Sequence, residues 1–198
     1  MDASAERRGD VVEQPFLMPV TDVFGREQGR AVLVTGAVER GRIRAGDEVE
    51  FVGLGGDAGA VVAEIEVGGR RVDEAGADTR VGLLLRGAAT GTAEAGQVLA
   101  APDSIDAWTG FTADVTLLSE EQGGAEVRTG RRLQFHLRSA VVPGVVTLPP
   151  GTDVLHPLHT GTLTAVLERP VALEPGHFFA YRRHGRAAGT GTVTRLLR

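Results

Sequence analysis

Apolar residues in this chain come in short runs set apart by glycine, not at helical spacing. The first set is Phe16–Val20, Ala31–Glu39, Asp47–Val52, Ala60–Val67, Val81–Arg86 and Gln97–Ala100. Gly29, Gly41, Gly46, Gly55 and Gly56 fall between them and supply the positive φ that hairpin turns need. Within Glu48–Val52, charged and apolar side chains alternate, as in a strand with one face in a core. Six such strands predict a closed or nearly closed antiparallel barrel. Residues 101–107, APDSIDA, break the pattern and read as a linker. A second set follows: Phe111–Ser119, Arg132–Ser139, Gly144–Leu148, Thr162–Leu167, Phe178–Arg182 and Thr190–Leu197. Pro149–Gly151 and Glu174–Gly176 mark sharp turns within it. The expected fold is all-β: two tandem antiparallel β-barrels of about six strands each. They span residues 15–103 and 108–198, behind a polar, flexible leader over 1–14. One large β-sandwich is the alternative.

Composition narrows the chemistry. No apolar run approaches the roughly 20 residues that span a bilayer. The opening MDASAERRGD has no apolar stretch after its arginines and is not a secretory signal. A cytoplasmic protein without membrane contact is expected. With no Cys, disulfides, thiolate metal sites and Cys nucleophiles are excluded. With no Lys, neither a GxxxxGK[ST] phosphate loop nor Schiff-base chemistry is available. The net charge of −5 is uneven: residues 1–105 carry 11 Arg against 18 Asp and Glu, and residues 106–198 carry 10 against 8. An acidic first half and a weakly basic second half argue against an extended nucleic-acid footprint while leaving room for a local patch.

Motifs spread along the length carry a resemblance. In order they are PFLMPV, LVTGAVERG, GDEVEFVG, VGLLLRG, GQVLA, the pair Gly123–Gly124, LQFHLR, VTLPPGTDV and FAYRRHGRAAGTGTV. The ordered set resembles the second and third domains of elongation factor Tu, the GTPase that carries aminoacyl-tRNA to the ribosome. The resemblance runs from Gln14 to Arg198 and implies two β-barrels, in agreement with the periodicity. The GTP-binding domain that precedes these domains in the family has no counterpart here. GTP hydrolysis, and enzymatic activity in general, is therefore not expected.

The resemblance also implies a site. In the family the aminoacyl end of tRNA docks on the second domain. Its pocket residues match Asp22 and Phe24 of DVF, Thr35 of VTG, and Glu66 on a later strand. Other contacts have no match. An aromatic or His and then an Arg are replaced by Gly68 and Gly69, an Asn by Arg80, the Arg of ERGQVLA by Ala95, and the Thr of DVTG by Pro143. The family's GGRHTPFFKG loop is shortened to GGAEVRTG. Glu64 stands where the family has Gly and crowds a ligand lying along that strand.

Other candidates are weaker. Asp22 and Phe24 equally suit a turn cap and a barrel-mouth filler, and Glu66 suits an exposed strand carboxylate. His156 and His159 in HPLH read as a surface loop for want of a third convergent ligand. His136, His177 and His184 read as scattered strand residues. Gly189-Thr190-Gly191 is no phosphate cradle, because no helix follows it. Arg182, Arg183 and Arg186 form the best anion or RNA contact, set against a solvated hairpin. No cofactor or metal is implied. The expected function is a non-catalytic, translation-associated binding module with weakened aminoacyl-tRNA binding. It acts through a protein partner or a homo-oligomer on the surface that the GTPase domain would cover. Residual weak RNA binding and an antibiotic-binding decoy are the alternatives.

Overall fold

The computed structural model describes residues 13–26, 30–87 and 91–198, so most of the expected leader lies outside the described residues. Nine strands precede the linker: β1 Leu17–Arg26, β2 Ala31–Ala37, β3 Arg42–Arg44, β4 Glu48–Val52, β5 Ala58–Val67, β6 Arg70–Val72, β7 Glu74–Gly76, β8 Arg80–Arg86 and β9 Val98–Ala100. Six of them run in the order β4-β9-β1-β2-β8-β5, and pairing of β4 with β5 closes the ring. β6 extends β5 as a hairpin, and β3 with β7 forms a separate ribbon. These three short strands are absent from the periodicity because each has three residues and most of those are charged or small. Val32, Val34, Leu83, Leu85 and Ile65 fill the interior with Met18, Val20 and Phe51.

Six strands follow the linker: β10 Ala107–Leu117, β11 Arg132–Leu137, β12 Ala140–Thr147, β13 Thr160–Ala172, β14 Phe178–Arg183 and β15 Arg186–Leu197. They close as β10-β13-β12-β11-β14-β15. Both units are therefore closed antiparallel barrels, and the sandwich alternative falls. An aromatic cluster fills the second. Phe111 lies 5.6 Å from Phe135 and 5.4 Å from Phe179, and Tyr181 lies 6.5 Å from Phe135. Gly189 and Gly191 face this cluster. A Cβ at Gly191 would approach Phe179 Cζ to 2.6 Å, and one at Gly189 would overlap the Tyr181 ring. The glycines of the GTG segment thus make room for large rings in the core.

The linker packs firmly. Ile105 is buried in a small cluster with Leu17, Val52, Val98 and Ala100 of the first barrel and Ala172 of the second. Charges fasten the same seam. Arg138 occupies the first position of the two-residue β11–β12 turn at φ 54°. Its guanidinium donates to Glu39 at 2.8 and 3.1 Å, to Glu174 at 2.9 Å and to the Ala172 carbonyl at 2.9 Å. Arg40 also donates to Glu174, at 2.7 and 3.0 Å. Farther along, Arg169 bridges Glu94 at 2.8 Å, and the Leu54 N–H donates to the Pro170 carbonyl at 2.6 Å. Among the described residues, no helix is long and apolar enough to cross a membrane.

Candidate binding face

Two β-bulges decide what the first barrel shows to its surroundings. A strand's side chains alternate between faces, so Val20 facing inward would send Asp22 inward as well. A register shift between Val20 and Asp22 breaks that phase. Val20 stays buried, Val23 packs against the core, and Asp22 and Phe24 emerge on the outer face. β5 does the same. A shift between Val62 and Glu64 keeps Val62 and Ile65 inside and turns Glu64 and Glu66 outward.

The ladders then align these residues in two adjacent rows. Asp22 pairs with Thr35, Thr35 with Gly82, and Gly82 with Glu66. Phe24 pairs with Leu33, Leu33 with Leu84, and Leu84 with Glu64. The four residues that the sequence marks, Asp22, Phe24, Thr35 and Glu66, thus share one face. The Thr35 hydroxyl donates to Asp22 Oδ2 at 3.1 Å. Phe24 is 46% exposed, so it neither fills a barrel mouth nor sits in a turn, and Asp22 is a strand residue rather than a turn cap.

Between the rows lies a cleft of about 320 Å³. Leu33, Leu84 and Gly82 form its floor, and Arg26, Glu64, Glu66 and Arg71 rim it. Glu64 and Arg71 form an ion pair across the rim. Arg26 stands over the Phe24 ring, 6.0 Å from its centre. Leu33, Leu84, Gly82 and Arg71 escaped the sequence reading. For Leu33, Gly82 and Leu84 the signal lay in the unbroken runs AVLV and VGLLL, since an inward face uses only alternate residues and the others face out; Arg71 left no such signal.

The positions beside these rows that the resemblance marks as departures are placed as follows. Val67 pairs with Arg70 across a two-residue turn made of Gly68 at φ 57° and Gly69 at φ 78°. Positive φ at both positions is a type I′ turn, which glycine suits best, and it offers no side chain to a ligand. Arg80 pairs with Ala37 two positions from Gly82 on the same outer face, and brings a cation beside the rows. Ala95 is exposed in the β8–β9 connection.

A basic groove lies on the second barrel. Arg182, Gln134 and Pro143 form one cross-strand row. A cleft of about 480 Å³ there is lined by Arg131, Arg132, Arg182, Arg183 and His184. Arg132 is paired with Glu168 at 2.7 Å. Burial and the nearby Arg182 charge hold His136, on β11, below its ordinary value. Arg186 follows the His184–Gly185 turn and does not line the groove. Its Cβ lies near Gly123 instead. The expected cluster is therefore split, and Arg131 and Arg132 replace Arg186 in it. His177 and His184 are turn residues, not strand residues. His156 pairs with Glu126 at 3.1 Å, and no metal-binding cluster of His, Cys, Asp or Glu occurs among the described residues.

Two closed six-stranded antiparallel barrels in tandem, one bearing a bulge-built polar and apolar face, define a β-barrel scaffold of the translation-factor type. Comparison with protein families makes this specific: residues 31–100 match elongation factor Tu domain 2, and residues 104–197 match the elongation factor Tu C-terminal domain. The chain belongs to the elongation factor Tu family through these two domains. Neither match is to a GTP-binding domain.

Proposed function

We propose that this chain is a non-catalytic binding module of translation, with no GTP hydrolysis of its own and with a weakened hold on aminoacyl-tRNA. The observation that carries this reading is the outer face of the first barrel. Its two rows keep Asp22, Phe24, Thr35 and Glu66 together, yet the Glu64–Arg71 ion pair occupies the cleft rim and the adjoining turn is two bare glycines. A hydrogen bond to a charged group contributes about 1.5–3 kcal/mol. Losing two arginine contacts, at Gly69 and Ala95, then weakens binding by roughly a hundredfold to ten-thousandfold. Filter binding with charged tRNA tests this. Saturation only at micromolar concentration or above is expected, and a nanomolar dissociation constant would overturn the reading.

Function then rests on a protein partner or a second copy. Val141, Pro143 and Val145 point outward in succession along β12, and Val166 pairs beside Val145. Val141, Val145 and Val166 are 54%, 42% and 57% exposed. Such a stripe suits a macromolecular contact. Light scattering and affinity capture are expected to find a dimer or a partner whose binding falls on Val145→Asp. A monomer that captures nothing speaks against this.

The arginine groove favours a second reading, residual RNA binding through the backbone. Arg131, Arg182 and Arg183 converge there, and among the described residues none forms an ion pair with a carboxylate. RNA affinity falling steeply with salt would support this reading.

A further inference from the structure

The seam between the barrels holds a third cleft, of about 360 Å³, that shares no lining residue with the two above. The first barrel contributes Asp57, from the β4–β5 connection, the linker contributes Asp106, and the second barrel contributes Trp108, Pro170 and Arg198. Trp108 pairs with Val171 at the start of β10, and that pairing fixes the indole as a half-buried wall. The Arg198 guanidinium stands over this ring, 5.5 Å from its centre. The surroundings are acidic. Burial, together with the Asp103, Asp57 and Asp106 carboxylates, holds Glu50 above its ordinary value, while a bond from the Asp103 N–H acts in the other direction. An aromatic wall flanked by carboxylates attracts a delocalised cation through the ring face and through charge at once. The chain already places a guanidinium on that wall, which names the class of group the cleft accepts.

We propose that this cleft is a receptor for an arginine side chain of a partner protein, and that Arg198 is its internal occupant. The reading stands apart from the translational one, since it uses none of the residues of the outer rows or of the arginine groove. A guanidinium from a partner displaces Arg198, settles on the Trp108 face and pairs with Asp106 and Asp57. A cation over an exposed ring keeps the face covered in most molecules, so freeing it raises apparent affinity about fivefold.

Trp108 is the sole tryptophan, so its fluorescence reports the site directly. The probe is acetyl-argininamide, with uncharged acetyl-citrullinamide as the control. The expected result is a saturable change with the arginine compound in the millimolar range, tighter by about fivefold in Arg198→Ala. It should also be lost in Arg198→Ala/Asp106→Asn. Asp106 is exposed, and circular dichroism checks that each variant is folded. No saturable change in Arg198→Ala would overturn the proposal. So would an equal response to the citrulline compound, or a response that survives Asp106→Asn.

Discussion

Replacing Arg138 by Met tests what holds the barrels at a fixed angle. The Arg138 side chain is 4% exposed, while those of its partners Glu39 and Glu174 are 38% and 33% exposed. Met keeps the apolar stem and the same turn geometry, so the comparison isolates the charged head. Glu174 retains Arg40 at 2.7 Å after the change. Glu39 and the Ala172 carbonyl lose their described partner. Breaking a buried pair from one side costs about 3–5 kcal/mol, but carboxylates about one-third open to water recover part of their hydration. The expected loss is thus about 2–3 kcal/mol. Urea unfolding followed by Trp108 fluorescence and by far-ultraviolet circular dichroism measures it. A separation of the two transitions in the variant would show the barrels uncoupling. A loss below about 0.5 kcal/mol would refute the assignment, because surface pairs contribute that little.

Further outcomes follow from single sites. Burial and then the Arg138 charge push His177 down to about 4, below the value of about 6.5 for a free imidazole. Its neutral form is therefore favoured by folding, so stability is full above about pH 6.5 and falls by up to about 3 kcal/mol as pH drops towards 4. His177→Gln should flatten that slope, and an unchanged slope would count against the buried neutral imidazole. Gly189→Ala drives a methyl into the Tyr181 ring and should cost at least about 1–3 kcal/mol by thermal unfolding, whereas a near-neutral change would deny the packing role. If RNA binds the groove, Arg182→Gln should lower the log–log salt slope by about 1, and an unchanged slope would remove Arg182 from the contact.

Much of this fold was legible because barrel strands need apolar residues at alternate positions and glycine at their turns. All twelve runs read from the pattern lie on strands. What escaped was too short or too charged to show periodicity, as with Arg42–Arg44 and Arg70–Val72. The site was less legible. Asp22, Phe24, Thr35 and Glu66 were marked through a resemblance, but their meeting on one face depends on strand register, which no local pattern encodes. Arg131 and Arg186 show the same limit. Which arginines meet depends on how β11, β12 and β14 come together, and of these two only Arg131 lines the groove.

The two bulges explain why the outer face of the first barrel tolerates changes in its side chains. A bulge inserts one residue and reverses the side on which every following side chain emerges. With β1 and β5 both bulged, Asp22 and Phe24 after Val20 and Glu64 and Glu66 after Val62 emerge on the same outer face. That phase belongs to the backbone, so substitution at Glu64 or in the Gly68–Gly69 turn leaves Asp22, Thr35, Gly82 and Glu66 in their row. The same geometry makes tolerance selective. A side chain at the turn would not disturb the core, because a Cβ at Gly68 or Gly69 would meet nothing within 4 Å. Inward positions such as Val34, Leu83 and Ile65 have no such freedom, since they close the barrel beneath the face. A scaffold of this kind can change its outer face residue by residue while its architecture stays fixed. Kinship in the strands therefore constrains the core more tightly than the face.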